Sequence, residues 1–506
     1  MNITEKRERI PDVMAIYIVA PTERNFQIIQ DDLNKDIFDN LYINFVEKAE
    51  DHIFQTFFSN LISINKYTRI YKISVHPIGF LLYHPKLFTL TNIENSYDFL
   101  NKQNIKENEL NNFYENIGKG LYNVLFTLKT LPVIKYRQNW FGDNIVSEIQ
   151  EHFNHLFDKF PELKEEFPRK NNTVLIILDR DNDLPIMMHH AASLGSMIND
   201  LFGISRKKGT SNSTKFEIDP HVDYIWNNYI TTDYPSAHSK VSDDLRLIIN
   251  QTNFLKDENR DSGEMQKVSE QINETLDNIR DITITQTVLK NHAGSAEKLS
   301  NEIKSRFLEN LYEFEYSMLS NRKVNSDSFK KLVEVLMLKS SNLNFKTDCL
   351  RIILMYYLIN NKLSIEELSK IENLFVEYGI KRDSFDFLKQ KKEFDDSVKK
   401  DEKEKETETG GFFNYFADKS KNLLRNVSSL MSSVQPSIVA DLVNSLSTKK
   451  EVNNFVTYNL LKKSIDNNIN TNFEQVIVFM VGGGSLAEYE YVDQLLLQNK
   501  KNVIYL

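Results

Sequence analysis

Two uninterrupted apolar runs, TVLIIL at 173–178 and VIVFMV at 476–481, constrain this chain more than any other feature. Runs of β-branched residues and leucine without polar alternation are what a parallel strand covered on both faces requires. Between them, from about 223 to 394, apolar residues recur instead at steps of three and four, the helical period. The simplest fold consistent with both patterns is an α/β domain split in sequence by a helical insert. Glycine (15) and proline (11) are scarce among the 506 residues, which favours long helices over a turn-dense all-β fold.

The first 135 residues alternate short apolar runs, at 13–20, 41–45, 70–75 and 79–83, with helical patterns, and read as one α/β domain, 1–135. Its closing helix, 109–130, sets Leu110, Ile117, Leu121, Val124, Leu125 and Leu128 on one face. Tyr122, Phe126 and Thr130 lie nearly opposite, and apolar strips on both faces mean either double burial or a partner surface. A second α/β domain is expected from 136–222 together with 470–506, and a helical domain from 223–394. In the helical domain Met265, Val268, Ile272, Leu276, Ile279 and Ile282, then Ala296, Leu299, Ile303 and Phe307, predict two long helices with a hairpin bend at 292–294. Ser364 and Glu367 predict a capping box. The charged stretch 395–411 is expected to be a disordered linker. Residues 412–469, with Phe412, Phe413, Phe416, Leu423, Val427 and Met431 at roughly helical spacing, are expected as a helical segment returning to the second domain.

Lys plus Arg number 62 and Asp plus Glu 71, a formal charge of −9, which argues against a nucleic-acid partner. One cysteine, Cys349, excludes an intrachain disulfide framework and CxxC-based zinc or redox sites, and points to a reducing compartment. No apolar run approaches the roughly 18 residues of a spanning helix, and the run at 13–20 starts too late for a secretory signal. The chain is therefore expected to be cytoplasmic, touching membranes only peripherally. Asp179 and Asp181, one residue apart after a buried strand, are the sharpest enzyme-like feature. They could serve a Mg²⁺-dependent phosphatase of the haloacid-dehalogenase type, but the phosphate-binding lysine and second acidic strand end such chemistry needs are missing. The alternative is that they cap the following turn while Arg180 pairs locally. Gly482-Gly483-Gly484 completes neither GxGxxG nor GxxxxGKS/T, and His189-His190 has no further ligand at metal spacing. No cofactor or metal is expected.

Four segments, taken together, resemble the SM family: IPDVMAIYIVAPTERN at 10–25, GLYNVLFTLKTLPVIKYR at 120–137, LIILDRDNDL at 175–184 with His190, and VIVFMVGGGSLAEYEYV at 476–492. These are the Sec/Munc-like proteins that bind syntaxins and regulate SNARE-mediated membrane fusion. The resemblance keeps the same order over nearly the whole chain. Glu488-Tyr489, residues 314–319 and the IILMYYLI helix look closest to the Sly branch, which acts between endoplasmic reticulum and Golgi. The resemblance implies a three-domain arch: two α/β domains with parallel sheets, and a helical third domain inserted into the second. It implies no catalysis and a structural role for the Asp179-Arg180 strand end. As partners it implies a syntaxin-type SNARE and the assembled SNARE bundle, at ER and Golgi membranes. It places a syntaxin N-terminal peptide at Phe113, Tyr122, Phe126 and Thr130. The helical hairpin, through Met265, Ile272, Ile279 and Leu299, would meet SNARE helices. Relatives continue past the position of Leu506 with at least one more helix.

Overall fold

Strands form where the apolar runs are short and β-branched. In the computed structural model, which describes the chain apart from 206–215, 247–267, 403–435 and shorter stretches, β1 (Ala15–Val19), β2 (Leu41–Phe45) and β3 (Ile70–Val75) pair in parallel in that order. Tyr17 and Val19 alternate inward to meet Phe26, Ile29 and Leu33 of α1 (Glu23–Asn34) and Phe57 and Leu61 of α2 (Asp51–Ser63). Ile16 and Ile18, on the other face of β1, are exposed. Thr22 caps α1 by accepting from the Asn25 amide, satisfying one of the donors a helix start leaves over.

The larger sheet is built from β4 (Phe80–His84), β5 (Leu87–Leu90), β6 (Val133–Arg137), β7 (Thr173–Asp179), β10 (Phe455–Asn459), β11 (Ser464–Ile465), β12 (Gln475–Val481) and β13 (Asn502–Tyr505). Its order is β11-β10-β6-β7-β12-β13-β5-β4; β8 (Ile204–Ser205) and β9 (Phe216–Glu217) pair separately. The apolar runs that frame the helical insert, β7 and β12, are central neighbours, in parallel register from Thr173↔Gln475 to Asp179↔Val481. Every residue of β7 is buried, as a strand covered on both faces must be.

One face of this sheet packs on α4 (Glu107–Thr127), which follows the short α3 (Ser96–Leu100), and on α5 (Gly142–Lys159). The other face packs into a single apolar cluster with α6 (Leu194–Phe202), α7 (Tyr224–Tyr229) and the helices that follow. These are α8 (Val268–Ser305), α9 (Leu308–Asn321), α10 (Ser326–Leu336), α11 (Phe345–Ile359), α12 (Ile365–Tyr378) and α13 (Asp383–Glu402). The cluster is completed by α14 (Ile438–Leu446) and α15 (Leu486–Gln498). The capping box of α12 forms between Ser364 and Glu367.

Four expectations need correction. Residues 1–135 do not make one unit: β4, β5 and α4 add to the large sheet, because Phe88, Leu90, Ile117 and Leu121 share a core with Ile134, Leu175 and Ile177. The hairpin at 292–294 is absent; α8 runs straight through it to Ser305. Gly294 inside a helix costs only about 1 kcal/mol relative to alanine, no proline interrupts α8, and buried Leu289 and Leu299 flank the site. The stretch expected to be disordered from 395 is helical as far as Glu402, where α13 ends; 403–411 lie outside the described residues. Within 412–469, residues up to 435, including the strip from Phe412 to Met431, also lie outside them. The described remainder holds strands as well as α14, because β10 finds the edge of β6 and pairs with it antiparallel, Phe455↔Arg137 to Asn459↔Val133.

The core position of β7 is testable. Ile177→Ala removes a side chain with no exposed surface and should cost roughly 2–5 kcal/mol. The readout is a lower midpoint of chemical unfolding at unchanged slope; a midpoint like that of the parent would put Ile177 outside the core.

Candidate functional site

The face of α4 opposite its core stripe is covered, though incompletely. Tyr122 stacks on His152 of α5 at 5.1 Å and meets Phe153 edge-on at 4.9 Å. Phe126 lies 6.0 Å from Tyr122 and 6.2 Å from Phe167. Both rings are half-buried, and Leu128, just past the helix end, is exposed. Phe113 is buried and stacks on Phe99 at 4.8 Å. Thr130 is buried too. The four residues expected to share a pocket thus separate: Tyr122 and Phe126 form a patch beside α5, while Phe113 and Thr130 lie in the core. The cause is α5, whose own apolar face takes up most of the second strip of α4.

The strand end of β7 ties distant segments together. Asp179 accepts from the Asp181 amide at 3.0 Å, capping the turn. The Arg180 guanidinium donates two 2.7 Å bonds to Glu488 in the first turn of α15, with both side chains buried. Glu488 also accepts from the Tyr505 hydroxyl, and burial together with that carboxylate holds the Tyr505 phenol well above its ordinary pKa. Asp181 accepts from Lys391 of α13 at 3.2 and 3.3 Å, and Lys391 also donates to Tyr97 and Asn101. Asp183 accepts from the Ile438 amide at the start of α14. Asp179 and Asp181, the two carboxylates considered for Mg²⁺ chemistry, are therefore engaged by an amide and an ammonium group. Among the described residues no group of three or more His, Cys, Asp or Glu is placed to hold a metal.

A second buried joint fastens the helical insert to the sheet. His190 donates to Glu315 of α9 through Nδ1 at 2.6 Å and to Asp348 of α11 through Nε2 at 3.1 Å. His189 donates to Glu315 from Nδ1 at 3.0 Å, and its Nε2 accepts from the Tyr491 hydroxyl of α15 at 3.0 Å. Arg306 binds Asp348 through Nε at 2.8 Å and Nη2 at 2.5 Å. Arg351 donates to the Met188 and His189 carbonyls and to Asp200. Glu315 and Asp348 have no exposed surface. Burial opposes charge on both, yet the facing histidines and Arg306 hold their pKa values below the carboxylate range. Burial likewise opposes charge on His190, but its two carboxylates raise its pKa; His189 is more deeply desolvated and its pKa falls. Both ring nitrogens of His190 face carboxylate oxygens, an arrangement that an imidazolium satisfies, whereas His189 faces one carboxylate and one hydroxyl, which a neutral ring satisfies.

The Sec1 family pattern matches residues 1–506, the full chain. The chain belongs to the Sec1 family. Among its relatives, "Protein SLY1" of Saccharomyces cerevisiae is 23% identical over 569 aligned positions, covering 99% of this chain and 83% of that protein. The "SEC1 family transport protein SLY1" of Arabidopsis thaliana is 22% identical, covering 99% and 84%. The fold matches solved Sec1-family structures. One, of Sly1p in complex with an N-terminal peptide of Sed5p, aligns at TM-score 0.75 with 20% identity over 99% of this chain and 83% of that one. Another, of the SM protein Vps45 in complex with the Qa SNARE Tlg2, aligns at 0.67 with 14% identity over 99% and 85%.

For this Sec1-family chain, sequence reasoning missed the carboxylates of the second joint. Glu315 and Asp348 lie 125 and 158 residues from His190, so no local spacing could reveal them. Of the residues expected at a SNARE-helix contact, Leu299 is buried and serves the core. Met265 and the side chains of Ile272 and Ile279 lie outside the described residues.

The joint should make stability depend on pH at both ends. The raised His190 pKa contributes stability that is complete below the ordinary histidine value of 6.5 and is lost as pH rises through the folded value. The lowered Glu315 pKa contributes stability present above 4.5 that is lost as pH falls through its folded value. His189, buried neutral, adds to the acid loss below 6.5. Urea midpoints measured from about pH 6 to 9 should fall toward the alkaline end in the parent, and His190→Gln should lack that component. An identical alkaline slope in both would remove the imidazolium from the joint.

Proposed function

We propose that this chain is a non-enzymatic SNARE regulator, one that binds a syntaxin-type SNARE and promotes assembly of the SNARE bundle in vesicle traffic between ER and Golgi. The observation that carries this reading is the whole-chain membership in the Sec1 family with SLY1 proteins among its relatives. Two structural neighbours were solved with partners bound, Sly1p with an N-terminal peptide of Sed5p and Vps45 with the Qa SNARE Tlg2. The strand-end carboxylates, held in ion pairs and caps, support a structural role for the motif that most suggested chemistry. Among the described residues no helix is long and apolar enough to cross a membrane, which suits peripheral action at ER and Golgi surfaces through a membrane-anchored partner.

In this mechanism binding energy does the work. A SNARE held at one end by its N-terminal peptide loses less translational and rotational freedom when its helix meets the others, so the bundle assembles at lower entropic cost. The peptide seat is the half-buried Tyr122–Phe126 patch with exposed Leu128 at its edge. An aromatic patch with one open edge offers apolar area and little entropy to lose. The SNARE helices would lie along α8.

Titration of the full chain with a syntaxin N-terminal peptide tests the seat. Phe126→Ala should weaken binding by about 2 kcal/mol, close to thirtyfold, with a modest loss of stability because Phe126 is only half-buried. Leu121→Ala is the opposite control. It deletes a side chain 1% exposed and should cost roughly 2–5 kcal/mol of stability while the folded fraction binds peptide normally. Unchanged affinity in Phe126→Ala would move the seat off α4. Failure of the immobilised chain to retain any SNARE from detergent-solubilised membranes would overturn the function itself.

A further inference from the structure

The turn from α10 to α11 holds two apolar side chains in solvent on a backbone that is not free to withdraw them. Leu343 is 86% exposed and Met337 61%. The turn is fastened to the end of α8. The Ser340 hydroxyl donates to the Ser305 carbonyl at 2.5 Å, and the Asn342 side-chain amide donates to Ser305 Oγ at 2.9 Å and to the Glu302 carboxylate at 3.2 and 3.3 Å. Asn342 also shapes the turn: its backbone amide donates to Ser340 Oγ, its Oδ1 accepts from the Asn344 amide and its carbonyl from the Phe345 amide. On either flank Leu338 packs against the large apolar cluster and Phe345 meets Phe307 at 6.0 Å. A loose loop would fold back and recover the apolar burial that Leu343 and Met337 forgo. This one is stapled open.

Its charge runs against that of the chain. Residues 330–347 carry lysines at 330, 331, 339 and 346 and one carboxylate, Glu334, a net charge of +3 in a chain whose total is −9. Lys331 and Lys346 are exposed, as is Lys304 in the last turn of α8, next to Ser305. Lys330 is taken up by Asp327, and Glu302 by Asn342 and Arg306.

We propose that this turn is a membrane contact, in which Leu343 and Met337 enter the headgroup boundary of a bilayer while Lys304, Lys331 and Lys346 meet anionic lipid headgroups. Two apolar side chains offer far less area than the roughly 800 Å² per partner of a stable protein interface. A bilayer needs no matching shape, and it accepts apolar side chains from a projecting turn while its anionic headgroups attract the lysines. A turn already fixed by its own hydrogen bonds has little conformational freedom to lose on insertion. The contact lies on the helical insert and uses none of the residues of the α4 seat, so it does not depend on the SNARE reading.

Flotation of the full chain with protein-free vesicles tests it. Phosphatidylcholine vesicles with about 30% phosphatidylserine should retain the chain at least about tenfold better than phosphatidylcholine alone, and added salt should weaken retention. The double variant Met337→Asn/Leu343→Asn, altered only at exposed positions, should bind anionic vesicles at least about tenfold more weakly at an unchanged urea midpoint. A nitrobenzoxadiazole label on Leu343→Cys should shift its emission to the blue on these vesicles, whereas the same label on Ile365→Cys, 89% exposed at the start of α12, should not. Native Cys349 is buried, which directs the label to the introduced thiol. The proposal is overturned if anionic vesicles do not retain the chain, if the folded double variant is retained like the parent, or if both labels shift equally. Should vesicles fail and the double variant instead lose binding to a soluble SNARE bundle, the turn belongs to a protein partner and the lipid assignment falls. A syntaxin N-terminal peptide that binds the double variant as it binds the parent leaves the α4 seat intact in every case.

Discussion

The arrangement depends first on one buried guanidinium. Arg180 leaves the central strand β7 with 2% of its surface exposed and forms a two-bond fork with Glu488, which is fully buried. Taking both charges out of water costs several kcal/mol per ion, and only near-ideal geometry with the remaining polar atoms engaged offsets it. Here extra bonds come from the Asp183 and Gly483 carbonyls and the Tyr505 hydroxyl, but the buried Arg180 Nε has no hydrogen-bond partner among the described residues, so the offset is incomplete. The burial penalty makes the pair weak as a source of stability but strict as a device for register: if β12 slipped by one residue against β7, α15 would carry Glu488 away and strand two buried charges.

That strictness extends through the residues beside Arg180. Asp181 holds Lys391 near the end of the helical insert, and Asp183 holds the first turn of α14. One short strand end therefore fixes where the insert terminates and where the returning segment begins. The Glu315 joint performs the complementary task midway along the insert, bringing α9 and α11 onto the turn after β7. Both joints lie beside the apolar cluster that runs from β7 through α12. The apolar cluster supplies stability without direction, and the buried ionic groups supply direction at a cost in stability.

The residues that announced themselves in sequence were those whose environment is set locally or by simple coverage. The runs at β7 and β12 were legible because strands buried on both faces allow no polar alternation, and the start of α12 because Ser364 and Glu367 satisfy each other's backbone three residues apart. Gly294 misled because glycine marks bends by permitting them; in α8 nothing nearby favours the bend over another helical turn. β10 was missed because FVTYN is short and owes its strand state to the β6 edge it pairs with. The site was less legible than the fold. Tyr122 and Phe126 were correctly separated from the core stripe of α4, but the face they occupy is decided by α5, and helical periodicity cannot say which neighbour covers a second strip. The ionic role of His189 and His190 was not legible in sequence, since their carboxylate partners arrive from helices far along the chain.

A sheet and a helical insert fastened by buried charge have little freedom to part, because opening either joint would leave an unpaired ion in a low-dielectric core. The chain's recognition surfaces must then be features already present in the locked form. One such feature is the Tyr122–Phe126 patch, which stays half-buried because α5 covers α4 incompletely. A side-chain patch of this kind discriminates by shape and tolerates many backbone conformations, which is why it suits the peptide seat proposed for α4.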